Sequence, residues 1–328
     1  MNKHIFAILF RRFLSSLFVL FLLISFVFII IRLSPGDPSQ KYLSPKLSPK
    51  LHEEISKSYM LDESITKQYI AFAKNIFKGD LGTSYNYRRS VVSVIGDYLP
   101  FTIIFSITSF IIQILASTVL VFLSLRYRNS LIDRILSETS NIIYAVPVFL
   151  TSVLLIYLFS YQLNIFYSSG INSFDFENYS LLEKILDYVK HLTLPLIAIS
   201  LTGIPIYYKY LKDSIVGNLN SNYVLNLRSL GLKNKEIMIK HILPNSINSV
   251  IAVAGVELGI LLGGALIVET IFSLPGMGQL TMNAVLTRDY PLIIGCTLTA
   301  GLFILIVNLF ADVIRIIIDK RLIKDLLT

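Results

Sequence analysis

The sequence is poor in charge and in the residue types that build redox and metal chemistry. Of its 328 residues only 15% are charged, whereas soluble domains average about 25%. It contains one cysteine and no tryptophan. Because Cys296 has no second cysteine to pair with, an internal disulfide is excluded. With 54% hydrophobic residues, the chain is too apolar for an ordinary soluble domain.

Catalytic signatures are also missing. The sequence has no HExxH, GxSxG or GxxxxGK[ST] pattern, and its four histidines fall in different segments. A catalytic site needs nucleophiles, acids or metal ligands that converge, and no such set is visible. We therefore expect no enzyme activity, no cofactor and no metal site, and any ATP hydrolysis that drives this chain is expected on a separate subunit.

The positive net charge of +8 raises the alternative of a nucleic-acid partner. The basic residues, however, are scattered between apolar runs and do not form one face. Lysine and arginine beside apolar runs are typical of membrane topology signals. The sequence therefore predicts contact with membrane lipid and no nucleic-acid partner.

Six apolar runs are long enough to cross a bilayer, which takes about 20 residues as a helix. The first follows two arginines and offers no small-residue cleavage site, which favours a retained anchor over a signal peptide. The sequence thus predicts an all-α polytopic membrane protein with six spans. The runs cover residues 13–31, 100–124, 140–160, 191–210, 247–270 and 291–317.

The basic residues of the short loops predict the orientation. Residues 125–139 carry three of them and 209–246 carry six, whereas 161–190 carry two and 271–290 carry one. Since basic loops stay in the cytoplasm, both termini are expected inside.

The predicted orientation divides the chain into four parts. These are an N-terminal span (1–33), an extracytoplasmic segment (34–99), a transmembrane core (100–318) and a cytoplasmic tail (319–328). Within 34–99, helices are predicted at 51–60 and 63–78. The loop 168–190 is expected to form an acidic external patch through Asp175, Glu177, Glu183 and Asp187.

Residues 222–245, "NYVLNLRSLGLKNKEIMIKHILPN", predict two short helices joined by a turn. Gly231 is placed to adopt the left-handed conformation that ends a helix. Asn234 is a candidate N-cap of the second helix, and Pro244 is expected to end it.

Charged side chains inside the spans are expensive and often face an aqueous path. Glu257 is the deepest of them and is a candidate pathway residue. Glu269 is expected near the outer mouth, within reach of lipid headgroups. Asp312 and Arg315 are three residues apart, close enough on a helix to pair.

Several ordered motifs resemble one family. They are "IIIRLSPGDP", "QYIAFAKNIFKGDLGTSY", "HLTLPLIAIS" and "LGGALIVETIFSLPGMGQL" followed by "RDYPLIIG". Together they are similar to the dipeptide, oligopeptide and nickel permeases, the membrane subunits of type I ABC importers. The resemblance is collinear from about residue 10 to residue 322.

The resemblance implies the fold of a type I importer transmembrane domain in a bacterial inner membrane. It implies three kinds of partner: a second permease subunit, two cytosolic ATPase subunits and an extracytoplasmic substrate-binding protein. Segment 222–245 then resembles the "EAA" loop that docks on the ATPase. Its candidate coupling residues are Tyr223, Arg228, Gly231, Leu232, Glu236, His241 and Pro244. Those of the outer-gate turn are Glu269, Pro275, Gly276 and Gly278, and the two glycines are expected to adopt backbone angles that side chains resist.

Di- and oligopeptides are the leading substrate class by this resemblance, and nickel or a metal chelate is the alternative. Two other classes of protein stay open. A secondary transporter needs coupling-ion carboxylates or inverted repeats near the midplane, and neither is clear in the sequence. A membrane scaffold needs no ATPase-docking loop.

Overall fold

The computed structural model describes residues 2–33 and 64–318, and these residues fold almost entirely into helices. The predicted helix at 51–60 and the tail at 319–328 lie outside the described residues. Within the described ranges twelve α-helices follow one another: α1 (Asn2–Leu33), α2 (Ile65–Phe77), α3 (Val91–Arg126), α4 (Leu131–Ala145), α5 (Val148–Leu155), α6 (Leu181–Leu219), α7 (Asn222–Ser229), α8 (Asn234–Ile237), α9 (Leu243–Leu262), α10 (Leu266–Ile271), α11 (Met277–Thr287) and α12 (Tyr290–Ile318).

Five helical stretches of the described chain are individually long and apolar enough to cross a membrane. They are the regions of α1, α3, α6, α8 to α10, and α12. A sixth crossing is reached only if α4 and α5 count as one span, and these two helices meet at an angle of 98°. The continuous helix predicted for 140–160 is therefore wrong. Pro147 follows the end of α4, and a residue before proline is disfavoured from helical geometry.

Several spans extend beyond their apolar runs. Helix α3 begins at Val91, where the side chain of Ser90 accepts a hydrogen bond from the backbone N–H of Ser93. Helix α6 begins after Ser180, whose backbone N–H and hydroxyl both donate to Glu183 at 2.8 Å. At 1.5 Å per residue the 39 residues of α6 span about 58 Å, well beyond the roughly 30 Å of a hydrocarbon core. Hydropathy marks the membrane-embedded part, whereas local caps fix where each helix starts.

Small residues let the long helices approach closely. A Cβ atom on Gly255 of α9 would lie 2.6 Å from the Cβ of Ala311, and one on Gly259 would lie 2.9 Å from the Cα of Ile304. Between α3 and α6, Gly203 leaves room for the buried side chain of Gln113. Such contacts are common in membrane bundles, where lipid supplies no hydrophobic force to push helices together.

The N-terminal helix packs on one side of this bundle. Leu20, Ile24 and Phe28 of α1 contact Ile294 of α12. Arg12 pairs with Asp312, whose other carboxylate oxygen lies 3.7 Å from the guanidinium of Arg315. The predicted Asp312–Arg315 contact is present, and the link to α1 was not anticipated.

Helix α2 confirms the helix predicted at 63–78, and it packs against α1. The ring of Phe28 stacks on Phe72 at 4.8 Å and meets Tyr69 edge-on at 5.5 Å. The Tyr69 hydroxyl lies 2.7 Å from that of Ser25. The segment after α2 is fixed to the start of α12 by Asp289, which accepts hydrogen bonds from the Ser84 hydroxyl and the Asn86 backbone.

Candidate functional site: a turn and a coupling segment at opposite ends of the bundle

The candidate site residues fall into two groups at opposite ends of α6. The first group is a buried turn, residues 265–279, which joins the end of α9 to α11. The second group is the coupling segment, residues 222–245, which joins α6 to α9.

The buried turn is organised by Glu269, whose side chain is fully buried. One carboxyl oxygen accepts from the backbone N–H groups of Gly278 at 2.6 Å and Gln279 at 3.2 Å. The other accepts from the N–H of Ala265 at 3.2 Å and from the Thr102 hydroxyl at 3.3 Å. The expectation that Glu269 reaches lipid headgroups is wrong, since these four donors all lie inside the protein.

Thr102 connects this carboxyl group to α3. Its hydroxyl oxygen accepts from the N–H of Met277 at 2.7 Å while the same group donates to Glu269. The first free N–H groups of α11 are thereby satisfied by Thr102 and Glu269, in the manner of a helix N-cap. Thr102 was not predicted, because it precedes Glu269 by 167 residues and only the fold brings the two together.

The glycines of the turn are required because neighbouring atoms lie too close for a side chain, and not because their backbone angles are unusual. Gly276 has an extended conformation with a φ of −116°, and Gly278 lies within α11. A Cβ atom on Gly276 would lie 2.3 Å from Glu269 Oε2, and one on Gly278 would lie 2.6 Å from the Cα of Leu266. The prediction that these glycines need angles that side chains resist is wrong, although both positions exclude a side chain.

The rest of the turn packs into two apolar clusters. Phe272 and Leu274 are fully buried beside Phe105, Leu194 and Ala198, and Pro275, between them and Gly276, is half-buried. On its other side, α11 contributes Met277, Leu280 and Ala284 to a cluster with α3 and α12. The sequence suggested only an outer loop for 271–290, whereas the structure has an 11-residue helix there.

The coupling segment begins with α7 and confirms the predicted helix-ending glycine. Gly231 has a φ of +80°, and its N–H donates to the carbonyl of Arg228 at 2.9 Å. Leu232 then donates to the carbonyl of Leu227 at 3.3 Å. These bonds close the end of α7 and turn the chain towards α8.

The predicted end of the second helix at Pro244 is wrong. Lys233, not Asn234, precedes the first turn of α8, which widens into a π-helical stretch at Met238–Ile242 and runs on into α9. Pro244 lies in the first turn of α9, where its missing N–H is tolerated. The coupling segment is therefore joined to the fifth apolar run without an intervening loop.

One face of the coupling segment is anchored to the bundle. Val224, Ile237 and Ile242 are buried against α3 and α6, in a cluster that includes Val121, Tyr208, Leu211 and Ile215. The Tyr223 hydroxyl donates to Asn218 at 3.0 Å, and the Asn218 amide donates to Ser246 at 3.0 Å.

The opposite face is exposed and partly apolar. Leu225 and Ile239 are about half exposed, Leu230 is 74% exposed, and Arg228 is exposed as well. Glu236 accepts from Lys240 at 2.8 Å, and His241 is half-buried at the start of the helix leading into α9. Exposed leucines rimmed by charge on an anchored element are typical of a protein-docking surface.

A polar network braces the same end of the bundle. Lys212 of α6 donates to Asp133 of α4 at 2.5 Å and to Ser137 at 2.7 Å. Asp133 also accepts from the hydroxyl of Ser124 and the N–H of Asn129. Sequence reasoning used Lys212 only as a topology signal. Its partner lies 79 positions away, and no local pattern marks the pair.

The remaining candidate, Glu257, lies half-buried on α9 between the two groups. The structure does not bring it together with either one. Its role along a transport pathway stays a prediction.

The family comparison decides the class of protein. Residues 113–324 match the binding-protein-dependent transport system inner membrane component, and residues 5–108 match the N-terminal model of the same membrane component. The chain belongs to this family. It is a multi-pass inner-membrane permease, and both candidate groups lie within the matched residues.

Relatives and solved structures agree with this assignment. The chain is 30% identical to the oligopeptide transport system permease protein AppB of Bacillus subtilis, over 96% of this chain and 99% of that one. It is 26% identical to the nickel import system permease protein NikB of Staphylococcus aureus, over 94% and 90% of the two chains. The inward-facing MetNI methionine ABC transporter shares the fold, with a TM-score of 0.52 and 13% identity, over 70% of this permease and 97% of that chain.

The buried turn predicts a specific sensitivity. Gly276→Val places a side chain on the Glu269 carboxyl group. Glu269→Gln replaces one of the two acceptor oxygens with an NH2 group, which cannot accept from the N–H groups of Gly278 and Gln279 or, if the amide is turned round, from that of Ala265. Each change is expected to destabilise the permease by about 1–3 kcal/mol, the usual cost of leaving a buried polar group unpaired. Thermal unfolding of the detergent-purified protein measures the effect.

Gly96→Val is the matched control, because Gly96 is an exposed helical glycine with nothing within 4 Å of its Cβ position. Equal melting temperatures for Gly276→Val and Gly96→Val contradict the assigned role of the turn.

Proposed function

We propose that this permease forms half of the translocation pathway of an ATP-driven importer for di- and oligopeptides. The observation that carries the substrate class is the full-length match to AppB, which is named for oligopeptide transport. The match to NikB keeps nickel or a metal chelate as the second candidate, at lower identity. Within the described residues no group of three or more His, Cys, Asp or Glu side chains is arranged to hold a metal ion.

The partners follow from the exposed surfaces and from the family. A second permease subunit completes the pathway, two cytosolic ATPase subunits hydrolyse ATP, and an extracytoplasmic binding protein delivers the substrate. Residues 222–245 dock on an ATPase. Their buried face fixes them to α3 and α6, and their direct continuation into α9 provides a rigid path for transmitting movement.

The uptake experiment compares cells with and without this permease. Loss of the chain is expected to abolish ATP-dependent uptake of labelled di- and oligopeptides, and expression of the chain is expected to restore it. Nickel uptake, measured in the same cells, is expected to be unchanged. Loss of nickel uptake with normal peptide uptake contradicts the peptide assignment and favours the alternative.

In the proposed orientation of the permease, both termini lie in the cytoplasm. Asn178 and Asn234 are both exposed, one before α6 and one in the coupling segment. The native Cys296 is only 1% exposed and gives little background. Asn178→Cys is expected to react with a membrane-impermeant maleimide in intact cells, and Asn234→Cys only after permeabilisation. Labelling of Asn234→Cys in intact cells contradicts the orientation.

The coupling role is tested by Gly231→Pro. Proline fixes φ near −65° where Gly231 has +80°, and it removes the N–H bound to Arg228. The expected result is a permease that inserts normally but no longer retains its ATPase subunits in a detergent pull-down. A weaker form of the same result is an intact complex whose ATP hydrolysis no longer responds to substrate.

Gly79→Pro is a closely matched control. Gly79 has a φ of +76°, and its N–H donates to the carbonyl of Ile76 at 2.9 Å, but it lies after α2 and outside the coupling segment. It is expected to keep the ATPase subunits. Normal ATPase recovery with normal uptake in Gly231→Pro removes the support for the coupling assignment.

A further inference from the structure

One external aromatic side chain stands apart from the rest of the described surface. Phe174 is fully exposed, with a relative accessibility of 109%. It lies in the loop between α5 and α6, at the same end of the bundle as the buried turn. Phe176, two residues on, is instead half-buried, with its ring 4.8 Å from that of Tyr188. Within the described residues the Phe174 ring buries no apolar area, so covering it with a partner surface would be favourable.

The backbone beneath Phe174 is held in place by buried groups. The backbone N–H and hydroxyl of Ser173 donate to Asp187 at 2.8 and 2.6 Å, and Asp187 is only 5% exposed. Asp187 was expected to contribute to an acidic surface patch, and the structure places it under the loop instead. Phe174 is therefore displayed from a preorganised support, which lowers the entropy cost of binding.

The same loop is connected to the buried turn. Tyr167 stacks on His191 with ring centroids 4.2 Å apart, and its N–H donates to the carbonyl of Lys190 at 3.3 Å. The N–H of Gly170 donates to the carbonyl of Phe272 at 2.9 Å. Phe272 follows Glu269 by three residues and is fully buried. A short run of backbone thus links the exposed ring to the turn that Glu269 organises.

The surroundings of Phe174 favour a soluble protein as the partner. The exposed carboxylates of Asp175 and Glu177 lie beside it in sequence. Carboxylates are costly in a bilayer and are repelled by anionic lipid, which argues against membrane insertion of this loop. An aromatic anchor beside acidic groups is complementary to a partner surface with an apolar pocket and a basic rim.

We propose that Phe174 is the anchor at which the extracytoplasmic substrate-binding protein docks, and that the loop 167–176 connects this docking to the buried turn. This inference rests on the proposed function, because it takes the binding protein as the partner. Beyond that function, the inference names Phe174 as the residue that contacts the binding protein and the loop 167–176 as the connection from this contact to the buried turn.

The test uses the assembled importer in nanodiscs with its purified binding protein. Phe174→Ala is expected to raise the concentration of binding protein that gives half-maximal ATPase stimulation by on the order of tenfold, as for an interface hot spot. The maximal stimulated rate is expected to stay unchanged. Ser173→Ala, which keeps the ring but removes one bond to Asp187, is expected to produce a smaller rise.

Phe77→Ala is the control, since Phe77 is also an exposed phenylalanine, with 81% accessibility, at the end of α2. It is expected to behave as the unmodified protein. An unchanged half-maximal concentration for Phe174→Ala overturns the docking assignment and leaves the proposed function intact. Absence of any stimulation of the unmodified importer by the binding protein overturns both.

A crosslinking arm identifies the occupant directly. With p-benzoylphenylalanine in place of Phe174, irradiation of intact cells is expected to join the permease to the binding protein, identified by mass spectrometry. Capture of only the second permease subunit, or only of lipid, overturns the proposal.

Discussion

The hydrogen bonding of Glu269 is the interaction on which one end of this permease depends. A carboxyl group buried without partners costs several kcal/mol, and here four donors surround it. Those donors come from three places in the chain: the N-terminus of α11, the start of α10 and the middle of α3. Satisfying one side chain therefore fixes the relative positions of three helices, and it explains why Gly276 has no room for a Cβ atom.

At the opposite end the constraint is apolar packing. The coupling segment is fixed through Val224, Ile237 and Ile242, and its exposed side has leucines that the described residues do not cover. Because α8 runs through the π-helical stretch into α9, no flexible loop separates the coupling segment from α9. The bonds between Lys212 and Asp133 tie α6 to α4 beside it. This end is thus a continuous, packed unit, as the proposed coupling role requires, whereas the buried turn is held by hydrogen bonds to one side chain.

The two ends are connected by the same long helices. Helix α6 runs from the loop beneath Phe174 to the start of the coupling segment, and α9 runs from that segment to the buried turn. Close contacts at Gly255 and Gly259 hold α9 against α12, which begins beside Asp289. The two ends are therefore joined by packed helices, which tolerate discrete rearrangement better than continuous bending.

The sequence by itself determined the class of the protein, the approximate spans, the turn at Gly231 and the motifs of the permease family. These follow from hydropathy, glycine and proline chemistry and residue order, all of which are local. Only the tertiary structure decided that 140–160 is bent, that Pro244 continues a helix, and that Glu269 and Asp187 are buried. Pro147 and Pro244 are visible in the sequence, but proline is compatible with a helix break and with a first helical turn alike, so the residue type did not decide between the two. Burial of Glu269 depends on Thr102, 167 positions away, and a pattern read along one segment carries no information about such a partner.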